Sequence, residues 1–182
     1  VKTTRLIDNR LDSEKIEVSM EEITKALDIT EHESREDERR ILRSIVEFGN
    51  TDVKEIMKSR VDISAINKET CFKDVLEIIV SSGYSRIPVF QQEIDKVTGI
   101  LYVKDLIPYL SENNDFNWVN LCRTPYFVPE TKMINDLLKE FQTKKNHLAI
   151  VVDEYGGTSG LVTLEDVLEE IVGEINDEFD VD

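Results

Sequence analysis

A chain of 182 residues, 40% hydrophobic, has material for one large domain or two small ones packed together. Its formal net charge of −16 argues against nucleic acid and anionic lipid as partners, because both are gripped by clustered Lys and Arg. Cys71 and Cys122 form neither a disulfide framework nor a metal quartet, and no apolar run approaches the ~18 residues of a membrane span.

Both cysteines read as small core residues of a reducing, cytosolic setting. The chain opens at Val1 and reads as a soluble piece of a longer protein. Residues 1–50 are charged, lack proline and read as a helical linker. Ser19-Met20-Glu21-Glu22 has capping-box spacing ahead of Ile23, Ala26 and Leu27. The stretch "SREDERRILRSIVEFG" is amphipathic, with Ile41, Leu42, Ile45, Val46 and Phe48 on one face. It either lies on the following domain or connects that domain to something upstream.

From residue 51 the chain repeats itself. Moved forward by 62 residues, Ile66 to Val80 ("INKETCFKDVLEIIV") lands on Val128 to Gln142 ("VPETKMINDLLKEFQ"). Further on, "IPVF" falls on "AIVV" and, after a one-residue gap, "GILYVKDLI" on "GLVTLEDVL". Each unit reads as β-α-β-β-α, with helices at the 3.6-residue period and short β-branched strands. The stretches "QQEIDK" and "DEYGGTS" read as the turns between second and third strands. Trp118, Phe116 and Leu121 read as a short amphipathic piece packed between the units. A unit of ~60 residues buries little core alone, so two α/β units are expected to pack around a pseudo-twofold axis. The division is 51–112 and 113–176, with an acidic tail over 177–182.

Three residues stand out chemically. Thr163 and Asp166, in "GLVTLED", sit where a strand turns into a helix, and Thr-x-x-Asp is helix-cap spacing. The same helix start offers unpaired N–H groups to a phosphate, and the aspartate can accept from a ribose diol. In the first unit the matching place holds Tyr102, whose ring would crowd a phosphate. Arg86, in "SGYSRIPVF", has Leu148 as its counterpart. It reads either as an ion pair with one of the acids or as a planar fork for phosphate. Arg86 from one unit and Thr163 with Asp166 from the other are expected to face each other. His32 and His147 are isolated, and His147 reads as a polar strand-edge residue. The carboxylates after Leu164 read as a solvated face and frayed end, with a Mg²⁺ site as the weaker alternative. The sequence offers no nucleophile–base pair and no P-loop, so an enzyme is not expected.

The motifs "GYSRIPVF", "GILYVKDLI", "HLAIVVDEYGGTSGLVTLEDVLEEIVGEI" and "DEFD" together resemble the paired CBS domains of CorC/HlyC-type membrane proteins, which are linked to magnesium and cobalt efflux. "FGNTDVKEIM" and "FNWVNLCRTPYFVPE" are most similar to the gliding-motility branch of that group in Bacteroidetes. The resemblance implies a regulatory module on the cytoplasmic face of the inner membrane, controlling a membrane domain upstream. It implies an adenine nucleotide, ATP or AMP, with or without Mg²⁺, and a homodimer. It places the phosphates against Tyr84, Ser85, Arg86, Ile87 and Pro88, the ribose and phosphate at Thr163 and Asp166, and the adenine near Val61 and Ile63. A ligand-free dimerisation scaffold of a gliding or secretion complex is the rival reading.

Overall fold

The structure is a computed structural model that describes residues 44–172. The expected cap at Ser19, most of the 1–50 linker, His32 and the tail over 177–182 lie outside the described residues.

Two units of the expected order follow one another. The first comprises β2 (Ile66–Asn67), α2 (Phe72–Ser82), β3 (Arg86–Gln91), β4 (Glu93–Tyr102) and α3 (Val103–Leu106). The second comprises β5 (Phe127–Pro129), α4 (Ile134–Lys144), β6 (Leu148–Val152), β7 (Thr158–Thr163) and α5 (Leu164–Val172). Ahead of the first unit lie α1 (Val53–Ile56), β1 (Lys58–Ser59) and a 3-10 turn over Arg60–Asp62. Further 3-10 turns span Ile107–Tyr109 and Trp118–Leu121. In each unit the first two strands are parallel and are joined through a helix, α2 or α4, as a parallel connection requires.

The helices form where apolar residues recur on one face. Phe72 and Val75 of α2 are fully buried, with Leu76 and Ile79 packed beside them. Gly83, at φ +69°, ends that helix in the left-handed region, where glycine carries no Cβ penalty. The strands alternate between two environments. In β6, Ala149 and Val151 enter the core of their own unit, whereas Leu148 and Ile150 face the other sheet. Leu148 and Ile150 meet Val97, Ile100 and Leu161 there, in a third apolar cluster that joins the two sheets.

One feature of the topology is invisible to local pattern. The sheets are β2-β3-β4 and β1-β7-β6-β5, so β1, which precedes the first unit, belongs to the sheet of the second. Lys58 pairs with Leu161 and Ser59 with Gly160. The reciprocal crossing is a single bridge between Ile100 and Arg123. Val53 of α1 is buried in the second unit's core, with Val128, Leu137 and Phe141. Trp118 is buried in the first unit's core, and its Nε1–H donates to Thr70 O at 2.8 Å. Trp118 thus belongs inside one unit rather than between the two. The crossings need glycine beneath them. A Cβ on Gly160 would lie 2.4 Å from Lys58 O, and one on Gly99 would lie 2.7 Å from Cys122 Cβ.

The expected turns divide. In "DEYGG", Asp153 Oδ1 accepts from the N–H groups of Tyr155 and Gly157 at 2.9 and 2.8 Å, and Gly156 sits at φ +81°. "QQEIDK" is instead almost all strand. Gln92, at φ +65°, reverses the chain alone, and register shifts around Phe90 absorb the mismatch.

Candidate functional site

The end of α2 sends Gly83-Tyr84-Ser85 into β3, which begins at Arg86. The end of β7 places Thr163 at the start of α5. The packing of β4 on β6 and β7 brings these two places together. Between them lies a cleft of about 400 Å³. Lys58, Ser64, Tyr84, Ser85, Arg86 and Pro88 line it from the side of the first unit and its lead-in; Leu148, Leu161, Thr163, Glu165 and Asp166 line it from the second.

Thr163 caps α5. Its N–H and Oγ1–H donate to Asp166 Oδ2 at 2.7 and 2.8 Å, and Asp166 N–H donates back to Thr163 Oγ1 at 3.2 Å. The helix-cap reading is therefore met in full. Asp166 Oδ1 keeps its acceptor capacity, because both incoming bonds end on Oδ2. Leu164 N–H donates to His147 O at 3.1 Å, which puts His147 at a strand edge by its main chain.

Arg86 is held loosely. Its Nη1 lies 3.9 Å from Glu165 Oε1 across the unit boundary, and that carboxylate is largely exposed. A pair this long and wet is worth little. The guanidinium carbon is 5.5 Å from the Tyr102 ring centroid. Arg86 Nε is buried with no hydrogen-bond partner among the described residues, an expensive state for a charged donor. An anion in the cleft would meet a guanidinium with free donors, a capped helix start and Lys58. That set fits a phosphate. Pro88, Leu148 and Leu161 supply apolar wall for a ring.

Lys58 carries its amine to Tyr84 OH at 2.9 Å and lies 5.0 Å from that ring's centroid. Sequence reasoning missed Lys58, Ser64, Glu165 and the apolar pair Leu148 and Leu161. Lys58 and Ser64 lie on the crossing segment, whose partner strand lies about a hundred residues on; Glu165 lies between two residues already singled out.

Six of the sequence-derived candidates share the cleft: Tyr84, Ser85, Arg86, Pro88, Thr163 and Asp166. Three do not. Ile87 points into the first unit's core and is 0% exposed, so only its main chain is near. Val61 is 84% exposed on the 3-10 turn and stands outside the lining. Ile63 packs half-buried against the cluster between the sheets and is not part of the lining. Away from the cleft, burial pushes the Cys122 thiol up to about 11, in keeping with an inert core residue. Among the described residues no cluster of His, Cys, Asp and Glu has the makings of a metal site, and no helix is long and apolar enough to cross a membrane.

The model of the CBS domain matches twice, over residues 53–112 and 119–173. The magnesium and cobalt efflux protein CorC of Salmonella typhimurium is 41% identical over 146 residues, which is 80% of this chain and 50% of that protein. The chain thus spans about half the length of this relative. The solved CBS domain of a bacterial CNNM/CorC family Mg²⁺ transporter superposes with a TM-score of 0.80 at 43% identity, covering 88% of this chain and 99% of that one. A structure of such a domain in complex with ATP gives a TM-score of 0.72 at 46% identity, covering 76% and 99%.

Proposed function

The chain belongs to the CBS-domain family, as a paired module of the CorC/HlyC type, and we propose that it binds an adenine nucleotide between its units and thereby regulates an attached membrane domain. One observation carries the reading: Arg86 of the first unit and the Thr163–Asp166 corner of the second line a single cleft. The phosphates lie on Arg86, Lys58 and the start of α5. The base lies against Pro88, Leu148 and Leu161, and Asp166 Oδ1 accepts from the ribose. One structural relative in complex with ATP and another with bound AMP support the ligand class. Mg²⁺ rides on the phosphates, where it offsets the charge of Glu165.

Bound nucleotide acts by favouring one arrangement of the units, which requires unequal affinity for the two. Helix α5 starts at the cleft, and its Glu170 lines a hollow shared with Glu47, Asn50 and Thr51, just ahead of α1. A shift of α5 is thereby felt on the side of the upstream membrane domain. The module works on the cytoplasmic side, as a homodimer, with exposed Ile107, Leu110 and Leu168 as apolar surface for a second copy. The parent's own activity, in magnesium or cobalt transport or in gliding, belongs to the same proposal.

The test is calorimetric titration with ATP, with and without Mg²⁺. Saturable heat is expected, stronger with Mg²⁺, and Arg86→Ala should abolish it. A silent titration of the folded chain would overturn the reading in favour of a ligand-free scaffold.

A further inference from the structure

The duplication that builds the cleft also gathers a matching set of residues across the pseudo-twofold axis. The strand registers fix the correspondence. Arg86 pairs with Tyr102 as Leu148 pairs with Thr163. Ile100 meets Arg123 as Leu161 meets Lys58. Tyr102 therefore stands in the place of Thr163, Asp105 in that of Asp166 and Arg123 in that of Lys58.

In the first cleft Lys58, Thr163 and Asp166 all line the cavity, and Lys58 bonds neither of the other two. In the second their counterparts close on one another. Arg123 Nε–H donates to Asp105 Oδ2 at 3.0 Å, and Nη2 donates to Oδ1 and Oδ2 at 3.1 and 2.7 Å. The same guanidinium lies 4.0 Å from the Tyr102 ring centroid. Both Asp105 oxygens are thus taken, and the ring is covered. The main chain holds Arg123 in place, since Ile100 and Arg123 exchange N–H···O bonds of 2.9 Å in both directions.

We infer that Arg123, Asp105 and Tyr102 are a built-in plug that closes the second, pseudo-symmetric cleft, so that the module takes one nucleotide per chain and not two. A forked guanidinium–carboxylate pair stacked on an aromatic face has one good geometry, which a lysine cannot reproduce. The plug also consumes the carboxylate that, in the first cleft, is left with a free oxygen. The choice of nucleotide as probe rests on the function proposed above.

The experiment copies the open cleft's own side chains onto the closed one. Tyr102→Thr with Arg123→Lys is made in the full chain, folding is checked by thermal melting, and ATP is titrated by calorimetry. The double variant is expected to bind one equivalent more than the unaltered chain, raising the count from one to two per chain. The added site should be weaker, because Leu148 replaces Arg86 there. A folded double variant that binds the same number as the unaltered chain overturns the plug. An unaltered chain that binds none overturns the reading of the first cleft instead, and a gain in the variant still upholds the plug. Should the double variant not fold, Arg123→Lys alone with adenosine as probe is decided by the same count.

Discussion

At the scale of single residues, Thr163 and Asp166 serve the fold whether or not a ligand is present. Thr163→Ala removes the cap of α5 and should cost about 1 kcal/mol in chemical denaturation, whereas Thr163→Ser should cost far less. Glu140 gives a pH-dependent counterpart away from the cleft. Hydrogen bonds from Lys132, then Tyr126, hold its carboxyl below the ordinary range. Its stabilisation is therefore full above the ordinary carboxylate pKa and fades as pH falls through the lower folded value. Glu140→Gln should lower urea midpoints at neutral pH, and the two chains should converge in acid; a difference independent of pH would contradict this. Arg86 and Thr163 are legible from sequence because the two copies differ there, and Asp166 because Thr-x-x-Asp is helix-cap spacing. Val61 lies outside the cleft lining, and an apolar residue on a 3-10 turn carries no periodicity that says which way it faces. Its assignment came from resemblance alone.

At the scale of elements, the reciprocal crossings carry the architecture. Each unit's lead-in completes the other unit's core, with Val53 on one side and Trp118 on the other. Trp118→Ala should cost about 3–5 kcal/mol, since it leaves a large cavity and an unmet Thr70 carbonyl. Gly160→Ala drives a methyl into the Lys58 carbonyl and should cost about 1–3 kcal/mol while loosening Lys58 from the cleft. Gly83→Ala meets open space, so its penalty of about 1–2 kcal/mol is conformational and should leave Lys58 in place. Denaturation midpoints and amide exchange over β1 separate the two cases. These crossings could not be read from sequence: the pairing of Lys58 with Leu161 is non-local, and two-residue strands show no alternation. The helices and longer strands were readable because their burial patterns are local.

At the scale of the molecule, two interlocked units should unfold as one. Loss of either lead-in exposes a core, so neither unit is stable alone. The single tryptophan reports on the first unit, while far-UV circular dichroism reports on both. The two probes should give coincident urea transitions, and separated midpoints would mean that the interlock is weak. On the proposed function the same interlock makes the cleft a lever, because whatever bridges Arg86 and α5 bridges both bodies. The most direct measurement of that idea is a crystal structure grown with ATP and Mg²⁺. Phosphate oxygens are expected on the Arg86 guanidinium and at the start of α5, with Glu165 displaced from Arg86. A nucleotide lying on one unit alone, or in a cleft that holds Arg86 but not Thr163, would contradict the proposed bridge.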